Sequence, residues 1–506
     1  MEKIRLIGRS SALSRLQLEK VRSRIHAFFP QLQVELLTRE TRGDQLRDIP
    51  LQTVEGTDFF TGDIFNELIE NKADIAVHSL KDMSSEHFFG GNQFSIPDRD
   101  DPRDVFLCSK SMLEKAGRGQ GIVVGTCSPR REEMTIVFVE SILKYFVADI
   151  RLEVKPIRGN VETRLRKLVS GEYDATILAA AGLNRLLSKN ETAGLVERGL
   201  ASLSKIHLPL IECTPAPCQG AIVAEALADR DDLRPILHSI NDQQHWNDCV
   251  AEKKWAREFG AGCVQRFGVT SFHFNEEQSL YGGGVDANGK LINRWSKMPD
   301  LDGRGKKIFS STDFMGQFFD YDFFEKPDFS EYQNCKHVFV ANYKAVHNEV
   351  VISFLQNKML WAAGTKTWKE LAKNKIWVSG SSDAMGMERL DEVWSSPLVE
   401  SNKDDVVIIT HEKAAADWRK KGRKAIATYR LKAAVKPWLA AEIETADIIF
   451  WTSAEQFHLY ASFAKATATH ACPSGETARK LIEWGVKPVV FPDIKSFNQW
   501  KTSNIR

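Results

Sequence analysis

The amino-acid sequence predicts an α/β protein with a small α+β unit in its middle and a second α/β region at its end. Three observations carry that expectation. Short β-branched runs alternate with amphipathic stretches through the first 225 residues, the pattern of a sheet flanked by helices. From 226 to about 300 a helix gives way to short strands set off by glycines. Beyond 336 the strand–helix alternation resumes and echoes itself.

The elements follow in order. Lys3 to Ile7 reads as a strand and Ala12 to Phe29 as a helix. Asp74 to Ser79 is a second strand with Ile75 and Val77 on one face; Gly121 to Gly125 and Ala175 to Ala179 are the third and fourth. A helix bearing Trp255 and Phe259 runs into Gly260-Ala261-Gly262-Cys263, and strands separated by Gly282-Gly283-Gly284 and Asn288-Gly289 follow. The stretch from 300 to 336, dense in Phe, Asp and Gly, gives no assignment. In the second α/β region, the segments around Thr367 and Thr477 superimpose, each after a strand-and-helix pair that begins at Val338–Val340 or Ile448–Trp451.

Length and composition bound the function. A chain of 506 residues implies about three or four domains. Its 68 basic and 67 acidic side chains leave a net charge of +1, which disfavours general nucleic-acid binding. No run approaches about 18 apolar residues, and the charged start does not suit a signal peptide, so a cytoplasmic protein without a membrane span is expected. The eight cysteines form no C-x-x-C pair, and no metal site is expected.

Three strand-to-helix junctions share one design: Gly8-Arg9-Ser10-Ser11, Gly125-Thr126-Cys127-Ser128-Pro129-Arg130-Arg131, and Ile157-Arg158-Gly159-Asn160 leading to Arg164. Free N–H groups at a helix start favour an anion, and arginine adds a planar fork that binds carboxylate through two bonds. Ser128 suits an N-cap and Pro129 the first helical position. Each junction alone is also consistent with a capped helix beside a solvated arginine. Together they suggest a cleft, beyond the carboxyl ends of the strands, for a ligand with several carboxylates or phosphates. Asp82, at the end of the strand carrying His78, Ser79 and Lys81, is either a cleft carboxylate able to stabilise a developing cation or a turn residue paired with Lys81. Cys263 is either a nucleophilic thiol or a buried structural one.

Residues 1 to about 300 resemble the porphobilinogen deaminase (hydroxymethylbilane synthase) family. The resemblance rests on Ala73–Asp82 (ADIAVHSLKD), Asp101–Asp104 (DPRD), Gly125–Arg131 (GTCSPRR), Arg158–Arg164 (RGNVETR) and Glu172–Leu178 (EYDATIL), with Thr41–Asp44 and Gly260–Cys263 in support. It implies two lobes like those of a type II periplasmic binding protein plus a small α+β domain that carries the cofactor. The implied division is 1–105, completed by about 205–225, then 106–204, then 226–306. By the same resemblance, four molecules of porphobilinogen, the small-molecule substrate, are joined head to tail with loss of ammonia. Cys263 holds a dipyrromethane cofactor through a thioether, and Asp82 is catalytic. Arg9, Ser11, Ser79, Lys81, Thr126, Ser128, Arg130, Arg131, Arg158, Arg164 and Arg185 bind the acetate and propionate groups. The expected state is a monomer. Departures from the family pattern are Thr53 and Thr57 where lysines are usual, Arg266 for a proline, and Cys218 for a glycine.

Residues 307–506 resemble the uroporphyrinogen-III synthase family through Ala427–Leu431, Phe450–Ala454 and the echoing Thr367 and Thr477 segments. That resemblance implies a bilobed α/β region that cyclises the linear tetrapyrrole, with Tyr429, Ser453 and Thr477 at active-site positions. Their plain roles, core phenol, strand-end turn and helix cap, remain open beside it. So do two other functions: a non-catalytic polyanion-binding protein on the same scaffold, and an active deaminase with a structural C-terminal module.

Overall fold

A computed structural model describes residues 2–41, 61–260, 265–274, 277–383 and 385–504. The chain divides into two compact units, one of Met1–Phe272, Leu280–Asn293 and Ser396–Glu400, the other of His273–Ser279, Arg294–Ser395 and Ser401–Arg506.

The first unit holds two five-stranded sheets of one topology. In the first sheet the order is Gln33–Arg39, Lys3–Arg9, Ile75–Ser79, Ala221–Ala226, Gln93–Arg99. In the second it is Leu152–Lys155, Ile122–Gly125, Ala175–Ala179, Asp104–Ser109, Leu203–His207. The first three strands of each are parallel, and the fourth runs antiparallel to both neighbours. These are the periplasmic-binding-protein-like lobes that the sequence predicts. The chain passes between them twice, at 100–103 and at 208–220, because the first lobe's fourth strand, Ala221–Ala226, follows the whole of the second lobe in sequence.

Alternation along the strands builds the cores. Ile75 and Val77 face one way, onto Leu18, Val21 and Ile25 of the helix Ala12–Phe28, while Ala76 faces Ile64 and Leu68 on the other side. Each fully buried aliphatic side chain contributes about 1.5–3 kcal/mol. In the second lobe, Val105, Leu107, Leu165, Leu168 and Leu183 form the equivalent core.

The helix Gln243–Ala256, extended by the turn Arg257–Phe259, packs Trp255 and Phe259 on Phe267, Val269, Leu280 and Ile292 of a three-stranded sheet. One expectation is corrected here. Gly282-Gly283-Gly284 does not separate strands; it lies inside the strand Glu277–Val285. Glycine is used there for close approach: a Cβ on Gly283 would lie 2.5 Å from Thr214 Oγ1, and one on Gly284 2.4 Å from the Arg266 carbonyl. The Asn288-Gly289 turn falls where expected, with Gly289 at φ +79°.

The second unit has a six-stranded sheet, ordered Asp320–Phe323, Lys424–Lys432, Val406–His411, His337–Val340, Met359–Ala362, Gly380–Ser381. Its four-stranded sheet is ordered Ile308–Ser310, Ile448–Phe450, Thr469–Pro473, Val489–Phe491. The echo is structural. In each sheet three successive parallel strands are joined by helices, and the second crossover helix, Thr365–Lys373 or Glu476–Glu483, begins after a glycine N-cap. The unassigned stretch supplies one strand to each sheet. Ile308 pairs with Ile448 and Asp320 with Lys432, so its strands are defined by partners more than a hundred residues away. Among the described residues, no helix is long and apolar enough to cross a membrane.

Candidate functional site

The carboxyl ends of the parallel strands in both lobes of the first unit open onto one cavity of about 830 Å³. Arg9 ends the strand Lys3–Arg9, and Ser11 caps the following helix by accepting from Ser14 N at 3.3 Å. Ser79 ends the strand Ile75–Ser79 and accepts from Gln17 Nε2 at 2.8 Å. Lys81 and Asp82 follow on a single helical turn, Leu80–Asp82. From the other lobe come Arg131, Arg158, Arg164 and Arg185. All nine of these predicted residues line the cavity. Among the described residues, the Asp82 carboxylate makes no hydrogen bond or ion pair; it faces the cavity half-buried.

Thr126, Ser128 and Arg130 lie behind the wall. Thr126 is buried and its hydroxyl accepts from Ser128 N at 3.1 Å; Ser128 Oγ accepts from Arg131 N at 3.4 Å, as an N-cap does. Arg130 is 4% exposed and donates to the Thr214 carbonyl at 2.7 Å and to Asp104 Oδ2 at 2.8 Å. Helical rotation explains the difference between neighbours: Arg131, one position on, reaches both the cavity and Asp104. Cys263, Thr53, Thr57 and most of the Thr41–Asp44 motif lie outside the described residues.

Asp104 organises the arginines, a role the DPRD motif did not disclose. Fully buried, it accepts from Arg131 Nη2 at 2.7 Å and Nε at 3.2 Å, from Arg130, and from Gln219 Nε2 at 2.9 Å. Burial alone would raise its pKa; the guanidiniums of Arg131 and Arg130 more than offset that and hold it ionised. One carboxylate shared by two guanidiniums leaves a net positive charge at the cavity edge.

That surplus shows in the other cations. Among the described residues Arg164 donates only to the Gly159 carbonyl, at 2.9 Å, and its pKa falls to about 10 through burial and the nearby Arg131. Lys81 opens onto the cavity but has protein on most sides. Loss of water lowers its pKa against the pull of Asp82, and Arg131 lowers it further. Desolvated cations with too few counter-ions are what a carboxylate-rich ligand would stabilise. The arrangement fits a dipyrromethane group, whose rings each carry two carboxylates. Cys127, Gln17 and Glu40 also line the cavity and drew no expectation from the sequence; neither their types nor their spacing marks them.

In the second unit the three residues singled out by the sequence are split. Tyr429 is buried in the strand Lys424–Lys432, its ring 6.0 Å from Tyr321 and 5.8 Å from His411, and burial raises its phenol pKa. Ser453 and Thr477 lie together: Ser453 forms a capping box with Gln456, and Thr477 Oγ1 donates to the Thr452 carbonyl at 3.3 Å.

Residues 4–235 match the family model described as "Porphobilinogen deaminase, dipyromethane cofactor binding domain". A porphobilinogen deaminase of Chromobacterium violaceum is 38% identical over 270 residues, 53% of this chain and 80% of that protein. One of Laribacter hongkongensis is 36% identical over 265 residues, covering 52% and 78%, and one of Paraburkholderia phymatum 39% identical over 258, covering 51% and 72%. Among solved structures, a probable amino-acid ABC transporter extracellular-binding protein of Bacillus subtilis aligns with 51% of this chain and 97% of its own at 12% identity and TM-score 0.27.

Proposed function

The chain belongs to the porphobilinogen deaminase family, and from that premise we propose that its first unit joins four porphobilinogen molecules head to tail, with loss of ammonia, into hydroxymethylbilane. The observation that carries this reading is Asp82 on the wall of a cavity that Arg9, Lys81, Arg131, Arg158, Arg164 and Arg185 also line. Loss of ammonia from porphobilinogen leaves a cation on the pyrrole methylene, and a fixed carboxylate lowers the barrier to forming it. Asp82 takes that role. Arg9, Lys81, Arg131, Arg158, Arg164 and Arg185 hold the acetates and propionates, with Ser11 and Ser79 completing the wall. Thr126 and Ser128 shape the turn, and Arg130 balances Asp104.

A dipyrromethane group, when bound, supplies the pyrrole carbon at which extension starts. Cys263 is the residue proposed to hold it, through a thioether. The division proposed for the chain is 1–105 with about 205–225, 106–204, 226–306 and 307–506. The last of these is read as a uroporphyrinogen-III synthase-like region that closes the ring, with Tyr429, Ser453 and Thr477 nearest its chemistry. The duplicated strand–helix pattern supports that reading.

Intact mass tests the central claim. Protein from a haem-making host should exceed its sequence mass by one dipyrromethane, and Cys263→Ser should not. Each protein at its own sequence mass, in a chain without turnover of porphobilinogen, would leave a polyanion-binding protein on the same scaffold.

A further inference from the structure

Gln219 lies on the second crossover between the lobes and takes no part in the cavity wall, yet its amide joins groups that do. The side chain is 1% exposed. Its Nε2 donates to the Pro102 carbonyl at 2.7 Å and to Asp104 Oδ1 at 2.9 Å. A carbonyl and an ionised carboxylate only accept, so they fix which end of the amide faces them. Oε1 therefore faces the other way, where Lys81 Nζ stands 3.5 Å off. Pro102 and Asp104 belong to the first crossover and its following strand, so one side chain ties the two crossovers together.

The choice of a neutral amide has a physical reason. A carboxylate at this position would repel Asp104 and draw the Lys81 ammonium away from the cavity. An apolar side chain would leave Asp104 short of a donor in a fully buried site. An amide that donates one way and accepts the other keeps both neighbours satisfied and leaves both cations their charge.

We propose that Gln219 is a positioning residue: through Asp104 it sets Arg131, and directly it sets Lys81, so that cations from both lobes serve one anionic ligand. This rests on the porphobilinogen-joining reading of the cavity.

The test is steady-state kinetics of full-length, cofactor-loaded protein with porphobilinogen. Gln219→Met should raise KM about tenfold while kcat stays within about threefold. Gln219→Glu adds a pH signature. The charged groups facing the position are Asp104, Lys81 and Arg99, whose Nε donates to the Gln219 carbonyl, with Arg130 and Arg131 behind Asp104. Beside Asp104 the new carboxyl should stay protonated to a higher pH than usual and, once protonated, resume donating. Its kcat/KM relative to wild type should therefore recover at least about threefold between pH 8.5 and pH 6.5. A wild-type KM in Gln219→Met, a loss carried by kcat together with a lowered Tm, or a flat Gln219→Glu ratio overturns the proposal. If Gln219→Glu fails to fold, the KM of Gln219→Met decides. A wild-type chain that turns over no porphobilinogen overturns the underlying reading, and the proposal with it.

Discussion

Arg164 shows what a half-buried cation costs when no carboxylate is beside it. It sits among cations, short of water, with only a backbone carbonyl to donate to among the described residues, and its pKa drops to about 10. A substrate carboxylate would reverse that deficit. Arg164→Gln should accordingly raise KM for porphobilinogen about tenfold or more at low salt, since a charge-assisted contact is worth about 1.5–3 kcal/mol. The gap from wild type should narrow as added salt screens the site, and a KM that does not move would remove Arg164 from the binding set. Asp82 is different in kind: among the described residues no ion pair ties it down, so its charge serves the cavity rather than the fold. Asp82→Ala should cut kcat by about a hundredfold or more while the far-UV spectrum and Tm hold. Wild-type turnover in that variant would end the proposed catalytic role of Asp82.

At the scale of elements, strand ends and helix starts place the chemistry. Ser11 and Asn160 spend their side-chain oxygens on Ser14 N and Thr163 N, and that capping fixes where Arg9, Arg158 and Arg164 leave the backbone. The crossovers need similar care. Gly220 sits at φ +89°, and a Cβ there would stand 2.2 Å from the Asp100 carbonyl, so only glycine lets the two crossovers touch. Beside them the strand Ala221–Ala226 buries Glu225 completely. It accepts from His87 Nε2 at 2.6 Å and Asn92 Nδ2 at 2.7 Å, while His78 Nε2 stands at an ion-pair distance of 3.4 Å. Burial opposes ionisation, but the two histidines prevail and hold the Glu225 pKa at about 2. A carboxyl depressed in the folded state stabilises above its unfolded pKa of about 4.5 and loses that contribution as pH falls toward 2. Urea unfolding should therefore show stability falling by about 2 kcal/mol across that window, and Glu225→Gln should flatten the slope. An unchanged slope in the variant would show that the pair does not govern acid stability.

At the scale of the whole chain, the two units raise separate questions. The second can be examined within the intact protein by silencing the first. A full-length Asp82→Ala chain supplied with hydroxymethylbilane should yield the type III cyclic isomer, and Tyr429→Phe should slow that yield. Formation of the type I isomer alone, at the spontaneous rate, would reduce residues 307–506 to a structural module.

Much of the first unit was legible in the sequence, because strand alternation, caps and arginine-bearing turns are local patterns; Ile75, Val77, Ser11 and Arg158 fall where such patterns put them. The Gly282–Gly284 run misled because glycine signals both a turn and a close approach, and only the neighbours at Thr214 and Arg266 tell which. The strands Ile308–Ser310 and Asp320–Phe323 were illegible for a related reason: they exist through pairing with distant partners. By itself the sequence determined the lobes, the cation-rich turns and the acid at position 82. Only the tertiary structure decided that Arg130 lies behind the cavity wall while Arg131 reaches it, and that Asp104 pairs with both and Gln219 bonds to Asp104 and Lys81. A buried charge takes its role from whichever opposite charges the fold brings within reach, and no spacing along a chain records that.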